Sequence, residues 1–169
     1  WVSHEGQPIF SVDVHPDGFR FATAGQDHRV KLWSLSPVLD DTSEQDEKVP
    51  RLLATLLGHL GAVNCARWSP DGKFLASGSD DQLVMLWQLA DCGDRLGTAM
   101  PFGSNQPANL EKWRCAQTLR GHEGDIVDVA WSPDSSRVAS VSLDNTVRIW
   151  LLSGAGGYAS SAVHAQAAP

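Results

Sequence analysis

The chain has 169 residues, enough for one ordinary domain, and its 13 Lys and Arg against 20 Asp and Glu leave a formal net charge of −7. That balance argues against a nucleic-acid footprint, which needs a basic patch or stripe, and against electrostatic docking on an anionic membrane. An apolar fraction of 42% allows a packed core, and the three cysteines (Cys65, Cys92, Cys115), odd in number and without a CxxC pair, fit a reducing compartment better than a disulfide framework or a zinc site. Seven Trp with 15 Gly and 9 Pro point to a repeat.

The repeat occurs three times. The first copy runs from His4 to Trp33, the second from His59 to Trp87 and the third from His122 to Trp150, steps of 29, 28 and 28 residues. In the first, period-two patterning predicts strands over residues 12–14, 21–24 and 30–33, with turns at Pro16-Asp17-Gly18 and Gln26-Asp27. An acidic loop over residues 34–50 follows, holding Asp40, Asp41, Glu44, Asp46 and Glu47 against Lys48, and residues 52–56 supply a fourth strand. The loop reads first as a solvated, self-repelling segment and second as a contact for a basic partner. The second copy alternates at Val63, Cys65 and Arg67, turns at Pro70-Asp71-Gly72 and Asp80-Asp81, and reaches its fourth strand at residues 115–119 after a long loop over residues 88–112. The third alternates at Val127, Val129 and Trp131 and turns at Pro133-Asp134-Ser135 and Leu143-Asp144. Its continuation is so rich in Gly, Ala and Ser that we expect no outer strand there, only a mobile tail. The expected organisation is therefore residues 1–57, 58–120 and 121–152 as three units, with residues 153–169 as tail.

Four residue types recur at matched positions: His4, Thr23, Asp27 and Trp33; His59, Ser77, Asp81 and Trp87; His122, Ser140, Asp144 and Trp150. The arrangement resembles WD40 repeats, each of which builds one four-stranded propeller blade. That resemblance implies an all-β fold of three blades and a hydrogen-bonded relay from Trp through Ser/Thr and His to Asp. Buried indole N–H, imidazole and carboxylate groups are costly when unpaired, so such a set is a scaffold device. A hydrolase triad is the competing reading. It would need one strained nucleophile, and no GxSxG elbow is present, so no enzymatic activity, cofactor or metal is expected. A closed propeller takes about four to eight blades. Three blades, in a chain opening on Trp1, suggest an incomplete arc, either part of a longer protein or a unit that assembles with further copies. Such an arc would expose apolar faces at both ends.

Three stretches are more particular than WD40 in general: WVSHEGQPIFSVDVHPDGFRFATAGQD (residues 1–27), FGSNQPANLEKW (residues 102–113) and GDIVDVAWSPDSSRVASVSLDNTVRIW (residues 124–150). On these, roughly residues 1–152 resemble the propeller of the HIRA/Hir family of histone regulators, with plant and algal versions nearest. The resemblance implies a nuclear scaffold in a histone chaperone complex that acts in replication-independent nucleosome assembly and transcriptional repression. Its implied partners are a ubinuclein/Hpc2-type subunit, other chaperone subunits and, indirectly, histones H3–H4; direct DNA binding is not expected. A generic WD40 adaptor, in a ubiquitin ligase or signalling complex, is the alternative. In a propeller the residue before each turn Asp and those opening each first strand point to the face that partners use. Here these are Gln26, Asp80 and Leu143 with Ala62, Asn64, Asp125 and Val127.

Overall fold

The computed structural model describes residues 1–90, 109–153 and 157–165. Among them twelve strands form three four-stranded antiparallel sheets, and within each sheet every strand pairs with its sequence neighbour. Blade 1 holds β1 (Ile9–Val14), β2 (Arg20–Gly25), β3 (Val30–Ser34) and β4 (Leu52–Leu56). Blade 2 holds β5 (Val63–Trp68), β6 (Phe74–Ser79), β7 (Val84–Leu89) and β8 (Trp113–Leu119). Blade 3 holds β9 (Ile126–Trp131), β10 (Arg137–Ser142), β11 (Thr146–Ser153) and β12 (Gly157–Ala165). The fold is all-β, an open arc of propeller blades.

Each β1–β2-type hairpin closes on the Pro-Asp turn that its sequence carries, followed by Gly in the first two copies and Ser in the third. Gly18 and Gly72 sit at φ +72°, a backbone region that favours glycine. The third turn has Ser135 there, at φ +59°. Its hydroxyl accepts a hydrogen bond from the Asp71 backbone N–H at 3.1 Å, so the strained residue also ties blade 3 to blade 2.

Two departures from the sequence expectations stand out. The acidic segment is not plain loop: it folds into two short helical turns, α1 (Ser36–Leu39) and α2 (Asp41–Gln45), the second capped by Asp40, whose carboxylate accepts from the Thr42 and Ser43 backbone N–H groups. Blade 3 also does not lack its outer strand. β12 pairs antiparallel with β11 from Thr146↔Ala165 to Ser153↔Gly157, correcting the expected tail over residues 153–169. A ladder is made of backbone groups, and an outer strand joins one neighbour only, so low strand propensity is a weak veto there. Residues 154–156 and 166–169 lie outside the described residues, as does most of the loop over residues 88–112.

The blades stack face to face. Ala22, Ala24, Leu32 and Ala54 of blade 1 share one buried cluster with Ala66, Trp68, Leu75 and Trp87 of blade 2. The opposite face of blade 2, through Cys65, Ala76, Val84 and Leu86, packs with Val129, Val138 and Trp150 of blade 3. Polar bonds stitch the inner strands across the same seams. The Asp13 carboxylate accepts from the Trp68 backbone N–H at 2.7 Å, Ser11 Oγ accepts from the Ala66 N–H at 3.1 Å, and the Trp131 indole donates to the Arg67 carbonyl at 2.9 Å.

Candidate protein-interaction face

In all three blades the recurring set comes together. Trp Nε1 donates to the Thr23, Ser77 or Ser140 hydroxyl at 2.7, 2.8 and 2.9 Å. His4, His59 and His122 meet those hydroxyls through Nε2 at 2.8, 2.7 and 2.8 Å and meet Asp27, Asp81 and Asp144 through Nδ1 at 2.6, 2.8 and 2.7 Å. One direction of donation links every relay residue: the indole gives to the hydroxyl, the hydroxyl to Nε2, and Nδ1–H to the carboxylate, with Asp27 Oδ2 left buried without a hydrogen-bond partner. The register explains the convergence, since Thr23, Ser77 and Ser140 stand opposite Val12, Ala66 and Val129 on the inner strands.

Each carboxylate also organises its own turn. Asp81 accepts from the Leu60 and Leu83 backbone N–H groups, and Asp144 from those of Glu123 and Thr146. Burial pushes the Asp81 carboxyl up, but the hydrogen bonds from His59 and Leu60 outweigh it and hold it below the ordinary value of 3.8. Asp144 follows the same balance, with burial opposed by the Thr146 hydroxyl, the Glu123 N–H and His122, and ends well below the carboxylate range. Gly58 packs where a Cβ would stand 3.0 Å from the Trp87 ring, which accounts for glycine before His59. Ser3 replaces it in blade 1, and its carbonyl accepts from Lys31 Nζ at 2.9 Å.

The Ser–His–Asp geometry is superficially that of a hydrolase. Thr23, Ser77 and Ser140, however, are only 3%, 0% and 1% exposed and their hydroxyls already take an indole N–H, so no substrate can reach them. Burial lifts the Cys65 thiol to about 12, which makes it inert as a nucleophile. No cluster of His, Cys, Asp or Glu suited to a metal ion occurs among the described residues.

The turn residues form the open face. Asn64 Nδ2 donates to Asp80 Oδ1 at 2.7 Å and, across the seam, to the Ile126 carbonyl at 2.8 Å. The Leu143 N–H donates to the Asp125 carbonyl at 2.9 Å. Asp80, Asn64, Asp125 and Leu143 thus make one continuous run across blades 2 and 3, with Leu143 66% exposed. Val127, in β9, is exposed too, and Gln26 is exposed at the matching turn of blade 1. Ala62 does not belong: it is buried and offers only its carbonyl, to the Asp80 N–H at 3.0 Å. Leu60 was not anticipated. It is 85% exposed and hydrogen-bonded through its N–H to the Asp81 turn, where the other copies carry Glu5 and Glu123. An apolar residue at an otherwise acidic turn position was its only signal.

Residues 1–161 match the CAF1B/HIR1 beta-propeller domain. The chain belongs to that family. It is 51% identical to Protein HIRA of Mus musculus and of Homo sapiens over 154 residues, and 48% identical to Protein HIRA of Oryza sativa subsp. japonica over 151. Each alignment covers 89% of this chain and 15% of the relative, so the chain spans about 15% of the length of the curated relatives it matches. The expected nearness to plant versions does not appear in these identities.

Proposed function

We propose that this chain is the docking platform of a HIRA-like histone chaperone, serving replication-independent nucleosome assembly and transcriptional control in the nucleus by holding a ubinuclein/Hpc2-type subunit. The observation that carries this reading is the 51% identity to Protein HIRA over 154 residues. The geometry supports a binding role over a catalytic one: the relay groups are buried and bonded to one another, while Asp80, Asp125, Leu60 and Leu143 stand at one open set of turns. Specificity on such a face comes from apolar anchors entering beside Leu60 and Leu143, with Asp80 and Asp125 selecting a basic neighbour. Histones H3–H4 are reached through the complex, since attraction of an acidic protein to histones is unspecific by itself.

With a net charge of −7 the platform does not grip DNA. Pull-down at physiological salt, using a propeller completed to a closed blade number around these three blades, should retain the ubinuclein-type segment and leave naked duplex DNA unbound. Weak binding or none is expected from the three blades alone. Salt-sensitive retention of DNA, or capture of ubiquitin-ligase components in place of the chaperone subunit, would overturn the reading.

A further inference from the structure

We propose that Phe19 and the blade 1 insertion over residues 34–50 form a second docking surface, and that its occupant is a basic amphipathic protein segment whose apolar side chains are flanked by Lys and Arg. Phe19 stands in the turn before β2 and is 69% exposed. The Leu35 N–H donates to the Phe19 carbonyl at 2.9 Å, and the Leu35 carbonyl in turn accepts from the Val38 N–H at 2.9 Å and the Leu39 N–H at 3.2 Å. Successive backbone bonds thus hold α1 beside Phe19, and its Val38 and Leu39 are 56% and 72% exposed. Three large apolar side chains gathered at one end of one blade differ from the scattered single exposures that are normal on a protein surface.

The exposure of Phe19 does not come from a missing neighbour. Lys73 holds the same place before β6, and Ser136 before β10. Lys73 belongs to blade 2, which packs against a blade on either side, yet its side chain is 70% exposed. The place is therefore open to solvent even in a fully flanked blade, and an aromatic ring there is the departure.

Charge decides what covers the patch. Asp40, Asp41, Glu44, Asp46 and Glu47 follow α1 directly; all five are exposed, and none forms an ion pair among the described residues. The segment is fastened to its blade, since Pro37 is buried and Arg51 Nη2 donates to the Glu44 carbonyl at 2.7 Å. Such a rim repels nucleic acid, anionic lipid and a second copy of this chain, which carries the same acids. It attracts Lys and Arg, and apolar side chains between those cations meet Phe19, Val38 and Leu39. This surface is separate from the turns that hold Asp80 and Leu143. β2 runs from Arg20 to Gly25, so Phe19 and the Gln26 turn stand at its two ends, about 20 Å apart across six extended residues.

Fluorescence anisotropy of this chain with a labelled peptide of Leu and Lys at physiological salt tests the proposal, beside a peptide of Ser and Lys with equal charge. The Leu and Lys peptide should bind in the micromolar range, and the Ser and Lys peptide at least tenfold more weakly. Phe19→Ser/Leu39→Ser should weaken the first peptide at least tenfold and Asp41→Asn/Glu47→Gln at least threefold. Leu60→Ser, at the other end of the strands, should leave it unchanged. All of these positions are exposed, so the melting temperature should hold within a few degrees and lost binding reads as a lost contact. Equal binding of the two peptides would mean unspecific charge attraction, and a loss in Leu60→Ser alone would move the peptide to the opposite turns. Either result, or no binding of the Leu and Lys peptide, would overturn the proposal.

Discussion

Asp81 illustrates why one residue type can recur three times with no chemistry to perform. It accepts from His59 Nδ1 and from two backbone N–H groups, and through His59 it secures the hydroxyl that receives the Trp87 indole. Asp81→Ala leaves those donors without an acceptor and should lower unfolding stability by about 1–3 kcal/mol, read as a lower denaturation midpoint in urea. An unchanged midpoint would mean that the relay is not structural. The same carboxylates set a pH dependence. The folded-state pKa values of Asp81 and Asp144 lie below the ordinary 3.8, so their stabilisation is complete above that value and is lost as pH falls through the folded values. Asp17 and Asp71, at the Pro-Asp-Gly turns, are lowered too and add in the same window. The melting temperature should be level from pH 7 to 5 and fall below pH 4, less steeply in Asp81→Asn/Asp144→Asn. Stabilisation on acidification would contradict the assignment.

Between the strands, the strongest test lies at Arg67. Its guanidinium donates to Ser11 Oγ of blade 1 at 2.7 Å and pairs with Asp128 of blade 3 at 3.1 Å, so one side chain of β5 spans all three blades. The side chain is partly exposed, and solvent screens the pair, so Arg67→Ala should cost only about 1 kcal/mol. Its effect should be non-additive with both Ser11→Ala and Asp128→Ala, whereas purely local contacts would give additive double-mutant cycles. No sequence pattern announces this latch, because Ser11, Arg67 and Asp128 occupy positions that differ between copies. The relay groups were legible for the opposite reason: their identity repeats at a fixed step. Strands β1 to β11 were legible from alternation and turn residues. β12 was not, since its pairing rests on backbone groups that Gly, Ala and Ser carry as well as any residue. Nor was α2, where the self-repelling acids hid the cap that Asp40 provides through Thr42 and Ser43, bonds that pull its carboxyl down to about 2.

For the molecule as a whole, charge and surface give the account its direction. Polar chemistry that could react is buried in the relays, and the seams between blades consume the inner-strand polar groups. What remains for a partner is a set of turns with Asp80, Asp125, Leu60 and Leu143 outward and an acidic overall charge. This separation of buried support from exposed recognition is what a platform requires. The ubinuclein-type partner proposed for these turns rests on family resemblance alone, because a docking face leaves no spacing rule of the kind that a metal site or nucleophile does.

The central claim is that these turns dock a chaperone subunit, and titration calorimetry of a ubinuclein-type segment into the completed propeller tests it most directly. Both substitutions, Asp80→Lys and Asp125→Lys, sit at exposed or half-buried turn positions outside the relays. The account predicts binding by the parent propeller and at least tenfold weaker binding by Asp80→Lys/Asp125→Lys, with the melting temperature held within a few degrees. A parent propeller that ignores the segment, or a doubly substituted one that binds it with unchanged affinity, would contradict the account.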